Sequence, residues 1–254
     1  MNPGQAAFIA GAGVLAGIIN SVAGGGSFFT LPALVRCGVP TVQANTTSTV
    51  ALWPGTMASF GAYRQEMASR RRMSAILALV SILGGGIGAW ILLHTPAATF
   101  DLLLPWLTLF ATLLFTYGRQ VAARFKLSLG EHDDARSLVK TSALQFVIAI
   151  YGGYYGAGAG IMMLAVLSLL GMTNIHAMNA LKTLLSASFN GVAVVIFIAR
   201  GFVLWPEALT MMAGAVVGGY GGAWLARRLP AAWVRGFVIV TGVLTTIYFF
   251  WRLR

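Results

Sequence analysis

Between Met178 and Gly191 the sequence reads Met-Asn-Ala-Leu-Lys-Thr-Leu-Leu-Ser-Ala-Ser-Phe-Asn-Gly, inside a long apolar run. Lys182 is the only charged residue that falls in the middle of an apolar span. A lysine at the centre of a spanning helix costs roughly 2.5–3.5 kcal/mol. Its easiest partner, a carboxylate at the same depth, is missing. Glu66, Asp101, Glu131, Asp133, Asp134 and Glu207 all fall in connections or at span ends. Cation sites and proton relays in membranes usually need an intramembrane acid. A span with one lysine and neutral donors suits an anion. A lysine can also snorkel to an interface along its stem, or anchor a structural hydrogen bond, and those readings stand beside the functional one.

The candidate partners of Lys182 are neutral. Asn179, Thr183 and Asn190 share its segment, and Asn45, Thr47 and Ser48 occupy the matching part of an earlier one. Ser and Thr often bond back to their own helix, which is expected of about half of them. Glycine clusters add backbone donors. Asn20-Ser21-Val22-Ala23-Gly24-Gly25-Gly26-Ser27 and Gly152 to Gly160, with Gly158 and Gly160, lie inside apolar runs. Glycine costs about 1 kcal/mol relative to alanine in a helix interior, so such clusters predict a helix break or close packing. A break exposes the first N–H groups of a half-helix, an anion site without a charged side chain. Gly84–Gly88 and Gly218–Gly222 read instead as packing faces.

The elements that must position these residues are membrane helices. The chain has 254 residues, 58% hydrophobic and 9% charged. Its mean hydropathy is +0.81. Soluble domains carry about 25% charged residues. The net charge of +11 sits mostly in short connections, the pattern of topology signals and anionic headgroups, so nucleic acid is excluded as the main partner. The single cysteine, Cys37, forbids an intrachain disulfide, and His94, His132 and His176 are scattered. No cofactor, metal site or catalytic set is expected, and the chain is not expected to be an enzyme. Met1–Gly17 has no Lys or Arg and reads as the start of a retained first span rather than a signal peptide.

The expected fold is all-α, a polytopic helix bundle of about eight transmembrane segments near 5–35, 43–63, 73–93, 102–117, 141–170, 175–199, 206–226 and 232–251. Two repeats, 1–117 and 141–254, flank a polar connection at 118–140. A shift of 134 residues lays Gly84–Trp90 on Gly218–Trp224, with five identities in seven, Pro96 on Pro230 and Asn45 on Asn179. It also lays Thr49 on Thr183, Ser48 on Lys182 and Gly24-Gly25-Gly26 on Gly158-Ala159-Gly160. Internal duplication marks many secondary transporters. If each glycine-broken first segment crosses once, the repeat is parallel, with eight crossings and both termini inside. If it is a re-entrant hairpin, each half crosses three times and the repeat is inverted. Charge fits both, and the eight-crossing reading is preferred.

Gly17-Ile18-Ile19-Asn20-Ser21-Val22-Ala23-Gly24-Gly25-Gly26-Ser27, Gly38-Val39-Pro40 with Ala44–Ser48, and Leu181-Lys182-Thr183 with Ser188-Phe189-Asn190 resemble the sulfite exporter TauE/SafE family. The resemblance covers nearly the whole chain. It implies a bacterial inner-membrane secondary transporter for a small sulfur-containing anion, sulfite or a sulfonate, with export as the expected direction. A channel, or an uptake permease for another small anion such as a carboxylate, is the alternative. The expected partners are that anion and the lipid bilayer, with self-association left open. The second glycine motif lacks the serine of the first, so the two half-sites are expected to contribute unequally.

Overall fold

The chain is all-helical in a computed structural model that describes residues 1–22, 25–62, 71–124, 135–169, 172, 175–226 and 231–253. Ten helices are described: α1 (Pro3–Val22), α2 (Ser27–Arg36), α3 (Thr41–Ala62), α4 (Arg71–His94), α5 (Ala97–Arg124), α6 (Ala135–Tyr154), α7 (Ala159–Leu169), α8 (Ile175–Ala199), α9 (Trp205–Ala226) and α10 (Ala231–Arg252). Among the described residues, Pro3–Asn20, Arg72–His94, Ala97–Tyr117 and Ala177–Ala199 are long and apolar enough to cross a membrane. The polar connection shortens to 125–134, which lies outside the described residues, as do Glu66, Glu131, Asp133 and Asp134.

The surface is apolar and part of the interior is polar. Leu79, Leu83, Val147, Val217, Leu244 and Ile247 are exposed, whereas Asn45, Thr46, Thr47, Ser48, Ser81 and Gln145 are buried. Lipid contacts the first set without cost, while the second must find partners inside protein.

Each glycine-broken segment is two helices. Gln145 Nε2 on α6 lies 3.6 Å from Met163 Sδ on α7. Along a straight helix 18 residues would hold them about 27 Å apart, so α7 folds back against α6. In the first half, residues from Phe8 to Leu15 of α1 and from Phe28 to Arg36 of α2 border one cleft, so α2 also runs back. The turns use glycine where φ is positive, 108° at Gly25 and 79° at Gly158, a region open to glycine and strained for other residues. With 10 and 11 residues, α2 and α7 span about 15 Å, half a bilayer core.

The halves are interlocked by small residues. The first helix of each half packs on the fourth helix of the other: α1 on α9, α6 on α4. Gly13 and Gly17 of α1 lie against Met211 and Ala215 of α9, and Gly218 lies against Val14. Gly84 and Gly88 of α4 meet Phe146, Ile150 and Tyr154 of α6 in the same register. Both pairs are parallel, with backbones in direct contact, as small residues permit between membrane helices. Much of the Gly152–Gly160 cluster is packing too: Gly153 lies on Gly85, and Gly152 on the Phe189 ring, so only its later part makes the turn. At the centre α3 crosses α8, where Trp53 Nε1 donates to the Ala187 carbonyl at 3.2 Å, 134 residues away in sequence. α5 and α10 run antiparallel: Trp106 stacks edge-on with Phe250, and Thr112 reaches Gly242.

A Cβ at Gly88 or Gly218 would collide with backbone, whereas one at Gly219 meets nothing within 4 Å. Gly88→Ala and Gly218→Ala should each destabilise by about 1–3 kcal/mol, and Gly219→Ala should be neutral or stabilising. Thermal unfolding of the purified variants in detergent checks this, and equal midpoints for all three would refute the interlock.

Candidate functional site

The polar residues of α8 fall on one side. At about 100° per residue, Asn179, Lys182, Thr183, Ser186 and Asn190 occupy an arc of about 100°, with Ser188 opposite. This face meets α7, where Gly160 lies so close that a Cβ there would sit 3.4 Å from Lys182 Cδ. Gly160 is the second residue of α7. Ala159, Ile161 and Met162 donate their N–H groups to Gly156 or Gly158. No described bond uses the Gly160 N–H, so this donor of the first turn is available beside the lysine stem. Among the described residues the side chains of Asn179, Lys182 and Asn190 make no hydrogen bond or ion pair. The described carboxylates, Asp101 and Glu207, stand near the starts of α5 and α9.

Depth follows from packing. Phe189 sits between Gly85, midway along α4, and Gly152 of α6. Lys182 is seven residues before Phe189 and seven after Ile175, so it lies about 10 Å from each along the helix. Its ammonium is therefore between the bundle centre and the α8 entrance.

The matching residues of the first half are committed to the fold. Asn20 Oδ1 accepts the Gly26 N–H at 2.8 Å, closing the turn that leads into α2. Ser48 Oγ and Thr30 Oγ1 bond each other at 2.6 Å, and Thr30 Oγ1 also reaches the Gly26 carbonyl at 3.3 Å. Asn45 Nδ2 donates to the Tyr154 carbonyl at 3.0 Å, holding the end of α6. Thr47 Oγ1 accepts the Leu204 N–H at 3.1 Å, and Thr46 Oγ1 donates to the Phe202 carbonyl at 2.6 Å. These two pin the α8–α9 connection. Thr183 bonds back to the Asn179 carbonyl at 2.8 Å. Ser27 opens α2, half-buried, and Gly25 and Gly26 form its turn. Gly24 lies outside the described residues, and Ser21 is described only by its backbone in α1. Gly158 makes the second turn, which Tyr151 steadies by donating its hydroxyl to the Ala157 carbonyl at 2.7 Å.

Sequence reasoning missed Thr30, Tyr151 and Gln145. Gln145 is buried and donates to Ser81 Oγ at 2.9 Å. A lone glutamine in an apolar run was a readable signal, while Thr30 sits in an ordinary apolar stretch. Among the described residues no His, Cys, Asp and Glu are grouped to hold a metal. Two clefts, of about 480 and 760 Å³, are lined by other residues than Lys182 and its neighbours.

A family model described as sulfite exporter TauE/SafE matches residues 9–249. The chain belongs to that family. A probable membrane transporter protein of Haemophilus influenzae is 27% identical over 92% of this chain and 90% of its own. One of Xylella fastidiosa is 29% identical over 95% of this chain and 94% of its own. The probable membrane transporter protein YfcA of Escherichia coli is 26% identical over 91% and 84%. No solved structure matches. As a TauE/SafE member with several apolar helices, this is a membrane transporter, multi-pass in the bacterial inner membrane.

Asn45 and Asn179 are paired by the expected 134-residue shift, yet only the Asn45 side chain has a described partner. Asn45→Ala leaves the Tyr154 carbonyl without its donor and should cost about 1–3 kcal/mol. Asn179→Ala should leave the unfolding midpoint unchanged. Equal losses in both variants would contradict the asymmetry.

Proposed function

We propose that the chain is a secondary transporter for a small sulfur-containing anion, sulfite or a sulfonate, moved outward. One observation carries the reading: Lys182, inside a spanning helix and without an acidic partner among the described residues, lies against the N-terminal turn of α7, beside an N–H that no described bond uses. Lysine and helix N-terminus both favour negative charge. Asn179, one turn before Lys182, supplies a further neutral donor, Asn190 lies on the same face about 12 Å farther along α8, and Thr183 keeps acceptor capacity only. The family description speaks of sulfite export. A small oxyanion suits a site where an ammonium, an amide side chain and a helix N–H lie within one turn of each other. The first half supplies framework, since Asn20, Asn45, Thr47 and Ser48 already hold backbone or one another. The expected inequality of the half-sites fits this reading, with the serine-lacking half as the one that binds.

We read the halves as an inverted repeat, each made of a re-entrant hairpin followed by three crossings. The fold-back of α2 and α7 supports this, as does the antiparallel pairing of the mates α5 and α10. Arg71, Arg72, Arg119, Arg124, Arg136 and Lys140 then lie toward one side, against Arg36, Arg200 and Arg252 toward the other. The positive-inside rule makes the first side cytoplasmic. Both termini are then outside, the reverse of the eight-crossing expectation. α8 starts on the cytoplasmic side, so Lys182 loads from the cytoplasm, as export needs.

Lys182→Met should abolish sulfite or sulfonate flux in proteoliposomes while keeping the unfolding midpoint, and Thr183→Val should retain most of it. Undiminished flux in Lys182→Met sinks the site. Carboxylates competing as well as sulfonates would sink the substrate class.

Cys37, the single cysteine, is half-buried at the end of α2. In intact spheroplasts a membrane-impermeant maleimide should label Cys37, and should miss a cysteine placed at Arg72 in a Cys37→Ser background. The opposite pattern overturns the orientation.

A further inference from the structure

The larger cleft, about 760 Å³, runs between α1, α2 and α10, away from Lys182. Its walls are apolar for most of their length. Phe28 is buried at its floor, and Phe8 and Leu15 are 47% and 43% exposed at its rim. Those two belong to the outward stripe of α1, so the cleft opens sideways to lipid. Thr241 and Thr245 face it, but their hydroxyls already donate to the Phe237 and Phe28 carbonyls. The remaining polar groups gather at one end. Arg36, exposed at the last turn of α2, and Tyr248 border the cleft there, beside Phe8 near the start of α1. No described ion pair or hydrogen bond uses the Arg36 guanidinium or the Tyr248 hydroxyl.

We propose that this cleft is a binding site for one anionic phospholipid, with the phosphate on Arg36 and an acyl chain along α1 and α2. The layout matches a lipid in the outer leaflet: cation at the membrane face, apolar trough running toward the midplane. Guanidinium forks suit phosphate, bidentately and at low desolvation cost. A basic residue near the membrane surface favours an anionic headgroup about fivefold. The volume lies within the usual range for small-molecule sites. The trough also borders α2, whose turn Asn20 caps, so an occupying chain braces the first re-entrant hairpin from the lipid side.

The full-length protein, delipidated in detergent, is titrated with phosphatidylglycerol and phosphatidylcholine of equal chain length and read by native mass spectrometry. One tightly held phosphatidylglycerol is expected, with a preference of about fivefold that Arg36→Gln removes. Gly11 borders the cleft, and a Cβ there meets nothing within 4 Å, so Gly11→Phe fills the trough without disturbing the packing. It should weaken both lipids while the unfolding midpoint in lipid-free detergent holds. Equal affinity for the two lipids, or a preference that survives Arg36→Gln, overturns the proposal. So does loss in Arg36→Gln with no effect of Gly11→Phe, which leaves a surface charge and no trough. A dimer that Gly11→Phe dissociates would make the occupant a second copy and also overturn it.

Discussion

Every reversal of the chain inside a membrane strips N–H and C=O groups of helical partners where no water can replace them. The fold depends on how its two internal turns meet that demand. At the first, Asn20 reaches six residues ahead to the Gly26 N–H, and Thr30 with Ser48 closes the space behind it. At the second, Tyr154 occupies the place of Asn20 and has no amide to offer. Its carbonyl accepts a hydrogen bond from Asn45 Nδ2, and the Tyr151 hydroxyl donates to the Ala157 carbonyl. The Tyr154 and Ala157 carbonyls are satisfied there, yet no described bond uses the Gly160 N–H. The Gly26 N–H thus has a side-chain partner, whereas the Gly160 N–H has none described and lies beside the lysine.

Close packing converts that local difference into a positioned site. Gly85 and Gly152 admit Phe189 between α4 and α6, which fixes the height of α8 and so the level at which Lys182 meets α7. Two alanines at those glycines would push α8 outward by about the width of a methyl group, and the lysine stem would no longer lie along Gly160.

Much of this was legible in the sequence. Lys182 stood out by its cost alone, the absence of intramembrane acids pointed to an anion, and Gly84–Gly88 and Gly218–Gly222 read as packing faces. The fold-back of α2 and α7 was legible only as one of two alternatives. The stretch Gly152–Gly160 mixes glycines that pack with glycines that turn, and what separates them is the residue opposite: Gly85 for Gly153, Phe189 for Gly152. That information is nonlocal, so one broken crossing and two antiparallel helices share one sequence pattern. Thr47 and Ser48 looked like ligand donors because polarity in an apolar run is costly. Their partners, Leu204 N–H and Thr30, come from segments with no periodic signal of their own.

The exchange of first helices between halves bears on how the protein is made. α1 leaves the ribosome early, but its backbone-to-backbone partner, α9, begins only at Trp205. Until then Gly13 and Gly17 face lipid tails that cannot fill the groove their missing side chains leave. α6 is better served, since α4 precedes it. The second half therefore assembles as it is inserted, and the first half is completed last, after nearly the whole chain is in the bilayer. A truncation that removes α9 and α10 strands the N-terminal helix rather than leaving a stable smaller domain, so neither end of the chain is a separable unit.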